Sequence, residues 1–121
     1  MLATANPEAA LRDLNHRVSG RVAALLSRDG RLFAVDSPES VFSEVSSVMC
    51  ATAFGAAVAM HSELGRSPPH TLVIEAPGTW TIIAVAGNSA LLASVVDQKT
   101  DLPSAVREVT KFATLLGVRA V

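Results

Sequence analysis

From Met49 to Leu64 the chain reads MCATAFGAAVAMHSEL. With the residues leading in from Ser40, this stretch predicts a helix of roughly 24 residues, about 36 Å long. Plotted around a helical wheel, Val41, Phe42, Val45, Val48, Met49, Ala53, Ala56, Met60 and Leu64 form one broad apolar stripe, the pattern of a helix lying on a sheet. Ser47, Ala51, Phe54, Val58 and Ser62 form a second stripe of small or apolar residues with one aromatic. A helix apolar nearly all round is normally buried on both sides, and a chain of 121 residues has few other elements to cover it. The expectation is that the first stripe faces a sheet and the second faces another protein chain. A membrane span is the poorer reading, because it needs about 20 mostly apolar residues. The unbroken run is Val48 to Met60, preceded by Glu44 and three serines and followed by His61 and Glu63.

Composition points the same way. The length fits one domain, residues 1–121, able to bury a core without disulfides or metal. Half of the residues are hydrophobic and the mean hydropathy is +0.39, high for a small chain with much surface, and self-association would take up the excess. The net charge is -1, with ten basic and eleven acidic residues scattered along the sequence. That leaves no electrostatic footprint for nucleic acid or an anionic membrane. Cys50 is the sole cysteine, so no intramolecular disulfide is possible and a reducing cytoplasm fits. The N-terminus lacks the basic start and apolar run of a signal peptide, so the expected location is cytoplasmic.

In chain order, Asn6-Pro7-Glu8 starts a helix, with Asn as cap, Pro at the first helical position and an acid in the first turn. Leu11, Leu14 and Val18 repeat along it, and Ser19-Gly20 ends it. Arg21 to Ser27 reads as a strand, Asp29-Gly30 as a hairpin turn and Arg31 to Val35 as the returning strand. Ser37-Pro38-Glu39-Ser40 caps the long helix, which Gly65 stops. Thr71 to Ala76, Thr79 to Val85 and Ala90 to Val96 are three further strands, turned at Pro77-Gly78 and Gly87-Asn88. The last of these is apolar on both faces and belongs in the middle of a sheet covered on two sides. Asp101 caps a final helix with Val106, Val109, Ala113 and Leu116 on one face, stopped at Gly117. The order helix-strand-strand-helix-strand-strand-strand-helix, with tight turns, predicts a five-stranded, mostly antiparallel sheet in a three-layer α/β/α sandwich. The long helix lies on one face and the terminal helices on the other.

Chemistry is hard to find. There is no GxGxxG, GxxxxGK[ST], HExxH or GxSxG, so the phosphate cradle, zinc pair and nucleophile elbow are missing. His16, His61 and His70 sit on different elements with no second cysteine nearby, which gives no metal site. Asp29, Asp36, Asp97 and Asp101 fall in turns and caps, where they have a structural task. Arg12, Arg17, Arg21, Arg28, Arg31 and Arg66 read as surface arginines, the alternative being that one of them reaches into a partner's nucleotide site and acts in trans on a GTPase. Trp80 reads as sheet packing. The chain is expected to be no enzyme, with no catalytic residues, cofactor or metal.

The stretch GRVAALLSRDGRLFAV, the alanine-rich helix ending HSELG, the TLVIEA strand, and GNSALLASVV with its closing helix form a set. Together they resemble the Roadblock family, the dynein light chain relatives that include bacterial and archaeal partners of small Ras-like GTPases. The resemblance runs from about Leu11 to Leu116 and departs from the commoner pattern at Pro68-Pro69 and in the short C-terminus. It implies a homodimer or heterodimer in which long helices lie side by side and third strands pair edge to edge. Mapped onto this sequence, the dimer or partner interface is Ser47, Ala51, Phe54 and Val58 with Thr71, Val73 and Glu75. It further implies a non-catalytic dimeric regulator or adaptor of a small Ras-like GTPase, and the expected partners are a second copy of the chain, as a homodimer, and such a GTPase. A small-molecule sensor or a structural dimerisation module of a larger complex is the alternative.

Overall fold

The structure is a computed structural model that describes residues 6–38 and 41–120. The elements are α1 (Pro7–Val18), β1 (Gly20–Ser27), β2 (Leu32–Asp36), α2 (Glu44–Glu63), β3 (Thr71–Ala76), β4 (Thr79–Ala86), β5 (Ala90–Asp97) and α3 (Leu102–Ala120). The strands form one sheet in the order β2-β1-β5-β4-β3, every neighbour antiparallel. β5 is central, as its two apolar faces require, and β2 and β3 are the edges.

Alternation along the strands sends side chains into two cores. On one face Leu11, Leu14 and Val18 of α1 and Val109, Phe112, Ala113 and Leu116 of α3 close over Leu25, Ile82, Leu92 and Val96. On the other face α2 covers Val22, Ala24, Leu26, Ile83, Leu91 and Ala93. The molecule is thus the three-layer sandwich with its helices distributed as expected.

The helix ends follow the sequence signals in most places. Asn6 Oδ1 accepts from the Ala9 N–H at 3.1 Å, and Pro7 opens α1. Ser19, at φ 54, makes the left-handed exit. Gly20 then passes so close to α1 that a Cβ there would overlap Asn15 Oδ1. Asn15 itself is buried and donates from Nδ2 to the Asp36 carbonyl oxygen (3.0 Å) and to Asp36 Oδ2 (2.8 Å), tying α1 to β2. Asp101 Oδ2 accepts from the Ser104 N–H at 3.1 Å and caps α3.

Two helix boundaries differ from expectation. α2 begins at Glu44, not near Ser40, because Ser43 and Ser46 form a reciprocal capping box there, with Ser43 N–H donating to Ser46 Oγ at 3.2 Å. Val41 and Phe42 precede the helix, and Glu39 and Ser40 of the expected cap lie outside the described residues. Gly117 does not stop α3, which continues to Ala120. Its lack of a side chain serves packing instead: a Cβ on Gly117 would lie 2.6 Å from the Ala86 carbonyl carbon, at the β4–β5 turn. A glycine near a helix end is also read as a C-cap signal, and here the tertiary contact takes it.

Candidate protein-interaction surface

The long helix presents the opposite face from the one its sequence pattern predicts. Phe54 is 1% exposed, and Ser47 and Ala51 are buried with it against β1, β4 and β5. Val58 packs half-buried on the same core. The stripe expected on the sheet points outward: Val45 is 63% exposed and Met49 65%, with Val48, Met60 and Leu64 also exposed. Ser47, Ala51 and Phe54 are therefore taken up by the chain's own core and are not open to another chain, and Val58 is only partly so.

The physical reason lies in the sheet. Its strands on this side offer an apolar layer of Val22, Ala24, Leu26, Ile83, Leu91 and Ala93, and small residues let a helix backbone approach it closely while one large ring fills the remaining gap. Ser47 and Ala51 allow the approach, and Phe54 is the plug. The Arg28 guanidinium lies 5.7 Å from the Phe54 ring centroid and covers its outer side. The β1–β2 turn comes up beside the same helix, where Gly30 at φ 98 leaves no room for a Cβ, which would lie 2.9 Å from Val48 Cα.

What α2 turns outward is free of formal charge. Between Glu44 and Glu63 the helix carries no Asp, Glu, Lys or Arg. His61 Nδ1 is engaged with the Ala57 carbonyl oxygen at 2.8 Å. Cys50 is half-buried, and desolvation pushes its thiol pKa up, so it stays protonated and is a poor nucleophile. Among the described residues no three His, Cys, Asp or Glu side chains come together as a metal set.

On the α2 side of the sheet the inner core of α2 also takes in Leu72 of β3, an edge strand. The His70 carbonyl accepts from the Val85 N–H at 3.0 Å, which fixes the phase of the β3–β4 ladder. In an antiparallel pair the residues between hydrogen-bonded pairs point their N–H and C=O the other way, so Thr71, Val73 and Glu75 direct theirs outward, with no sixth strand beyond them among the described residues. Their side chains share a face with Ala84, Ile82 and Trp80, on the α1 and α3 side. Val73 is 38% exposed. Glu75 Oε2 accepts from Gln98 Nε2 at 3.4 Å. Leu72 and Ile74 lie on the α2 side, and Leu72 packs on the α2 core. Trp80 is half-buried on α3's core and donates from Nε1 to the Gln98 carbonyl at 3.3 Å, in keeping with a packing role.

The surface thus combines two of the expected parts differently. Thr71, Val73 and Glu75 stand at an unpaired strand edge, while the exposed helical residues are Val45, Val48, Met49 and Met60, which sequence reasoning assigned to the sheet. The signal that separates the two stripes is side-chain size: the smaller stripe, with a single aromatic, is the one that can pack closely on a layer of strands.

The family model of the Roadblock/LC7 domain matches residues 10–96. No curated protein matches the chain in sequence. Among solved structures, MglB of Myxococcus xanthus superposes with a TM-score of 0.84 at 16% identity, over 92% of this chain and 91% of that one. An MglB described as having a tetrameric arrangement gives 0.82 at 20% identity, over 93% and 85%. A Roadblock/LC7 domain from Streptomyces avermitilis gives 0.83 at 18% identity, over 90% and 92%. At these identities the structural likeness is one of fold, whereas the family match spans most of the sequence, including β1, α2 and the β3 edge; the chain belongs to the Roadblock/LC7 family.

Proposed function

We propose that the protein is a cytoplasmic homodimer that regulates or scaffolds a small Ras-like GTPase and performs no chemistry of its own. The observation that carries the reading is the uncharged outward face of α2, a helix whose inner core also holds Leu72 of the edge strand β3. Val45, Val48, Met49 and Met60 in water forgo about 25 cal/mol for each Å² of apolar surface that a partner could cover. An open strand edge invites a further strand.

A second copy meets both needs at once. A two-fold axis sets α2 against α2 and β3 antiparallel to β3, each patch meeting itself. With Val73 near the axis, the outward backbone groups of Thr71, Val73 and Glu75 find those of Glu75, Val73 and Thr71 in the other copy, and the sheet grows to ten strands. The MglB of tetrameric arrangement is consistent with a fold that self-associates. α2 is long and apolar enough to cross a membrane by length and composition alone. Extracting it would strip Phe54 and Ala51 from the core, and this favours a protein partner over lipid.

The test has two parts. Light scattering at micromolar concentration should return about twice the 12.6 kDa chain mass, and a monomer at high concentration would overturn the dimer. Binding to a Ras-like GTPase, above all one encoded beside this chain's gene, should differ between its GTP and GDP forms. Equal or absent binding in both states would remove the regulator role.

A further inference from the structure

We propose that the groove between α1 and α3 is a docking site for a segment of a partner protein in which a large apolar side chain is flanked by carboxylates. The groove encloses about 410 Å³, with Phe112, Leu116 and Ala10 as its floor and Arg17, Lys111 and Leu115 at its lip. Leu115 is 51% exposed although Phe112 and Leu116, on the same side of α3, are buried. The apolar face of the helix therefore runs out past the core into solvent at this point. The Arg17 guanidinium is held over the floor, 5.8 Å from the Phe112 ring centroid, with its Nε 3.4 Å from Asp13 Oδ2.

Charge decides the kind of occupant. Arg17 also walls a second depression of about 460 Å³, lined further by Arg21, Lys99 and Asp97. Across the two depressions four cations, Arg17, Arg21, Lys99 and Lys111, stand against two carboxylates, Asp13 and Asp97. That excess of two positive charges sits on a chain of net charge -1. Arg17 and Arg21 already have their aspartates, whereas Lys99 and Lys111 have no ion pair among the described residues. An apolar slot continued by a cationic strip complements an apolar anchor followed by acids, the anchor supplying affinity and the acids steering and register.

The groove lies on the opposite face of the sheet from α2 and is complete within one copy. It stays open when α2 and β3 are engaged, so a dimer would offer two such sites, and the inference does not depend on dimerisation.

The experiment uses the full chain and two fluorescein-labelled helical peptides with leucines at i, i+3 and i+4, one flanked by glutamates and the other by lysines. Anisotropy should show saturable binding of the acidic peptide only. Leu115→Glu and Lys111→Glu, both at exposed positions, should each weaken it by about tenfold or more, while Val45→Glu on α2 leaves it unchanged. Amide shifts in the unsubstituted protein should concentrate between residues 10 and 17 and between 111 and 116. The scattered mass of the same samples reports the dimer separately, so failure of one reading is not failure of the other. No saturable binding, equal binding of the basic peptide, unchanged affinity in both groove variants, or loss of binding in Val45→Glu would each overturn the proposal.

Discussion

Gly87 and Gly117 touch backbone to backbone: a Cβ on Gly87 would lie 3.0 Å from the Gly117 carbonyl oxygen, and one on Gly117 would overlap the Gly87 nitrogen. The last turns of α3 are docked onto the β4–β5 turn with no side chain between them. Gly117→Ala gains helix propensity, worth about 0.5–1 kcal/mol, but forces apart two packed backbones at about 1–3 kcal/mol. The net result should be a loss of about 1–2 kcal/mol, read as a lower urea midpoint at unchanged slope. A more stable protein would show that the contact is slack.

The two faces of α2 should respond in opposite ways to charge. Met49→Glu places a carboxylate on the outward face and should leave far-UV circular dichroism and the thermal transition nearly unchanged while lowering the scattered mass from dimer to monomer. Phe54→Glu puts a carboxylate into the core under β1 and β5, and burying an unpaired charge costs several kcal/mol. That variant should be unfolded or molten at 25 °C. A folded Phe54→Glu monomer would reverse the assignment of faces.

At the sheet edge, Val73→Pro removes one outward N–H and none of the inward ladder bonds of β3, since proline is tolerated where an edge strand's N–H faces solvent. Each chain should remain folded, and because the two-fold axis repeats the loss, the dimer dissociation constant should rise by about tenfold or more. Analytical ultracentrifugation over a concentration series measures it. Unchanged affinity would place the dimer contact elsewhere.

Asp29, Asp97 and Asp101 are held below the usual carboxylate range. The first cause is the Ser27 hydroxyl for Asp29, the Lys99 N–H for Asp97 and the Ser104 hydroxyl for Asp101. A carboxyl whose folded pKa is depressed binds protons more readily in the unfolded chain. Its contribution is therefore complete above the unfolded value of 3.8 and is lost as pH falls through the lower folded value. Stability should be flat near neutrality and decline below about pH 4. In Asp101→Asn that decline should be shallower, as followed by urea midpoints across the acid range. An equally steep decline would remove Asp101 from the acid response.

Calorimetry with GTP and with GDP should show no heat above dilution, because the chain has no glycine-rich loop whose backbone N–H groups could hold phosphates. Micromolar binding of either would overturn the regulator reading and point to an activity of the chain's own.

The sheet was legible because its punctuation is chemical: Asp29-Gly30, Pro77-Gly78 and Gly87-Asn88 force turns, and the doubly apolar Ala90–Val96 run can only be central. The faces of α2 were not, since both stripes are apolar and periodicity has no polar side to mark as solvent. What orients the helix is the fit of Ser47, Ala51 and Phe54 to a layer of strands, a property of two elements together. Gly117 was misread for a similar reason: alone it looks like an ending, and only the turn at Gly87 shows what it accommodates. In the candidate interaction surface, the β3 residues came from the family resemblance, whereas the helical ones inherited the inverted face.

The pairing of β1 with β5 joins Gly20 to Val96 and Ser27 to Ala90. A chain emerging from the ribosome therefore carries the β1–β2 hairpin, with Leu25 and Leu26 bare on its two faces, while α2, β3 and β4 are still being made. Neither core can close until β5 arrives to sit between β1 and β4. Assembly is consequently a late event in synthesis, since both cores lack their middle strand until the chain has been made as far as Asp97.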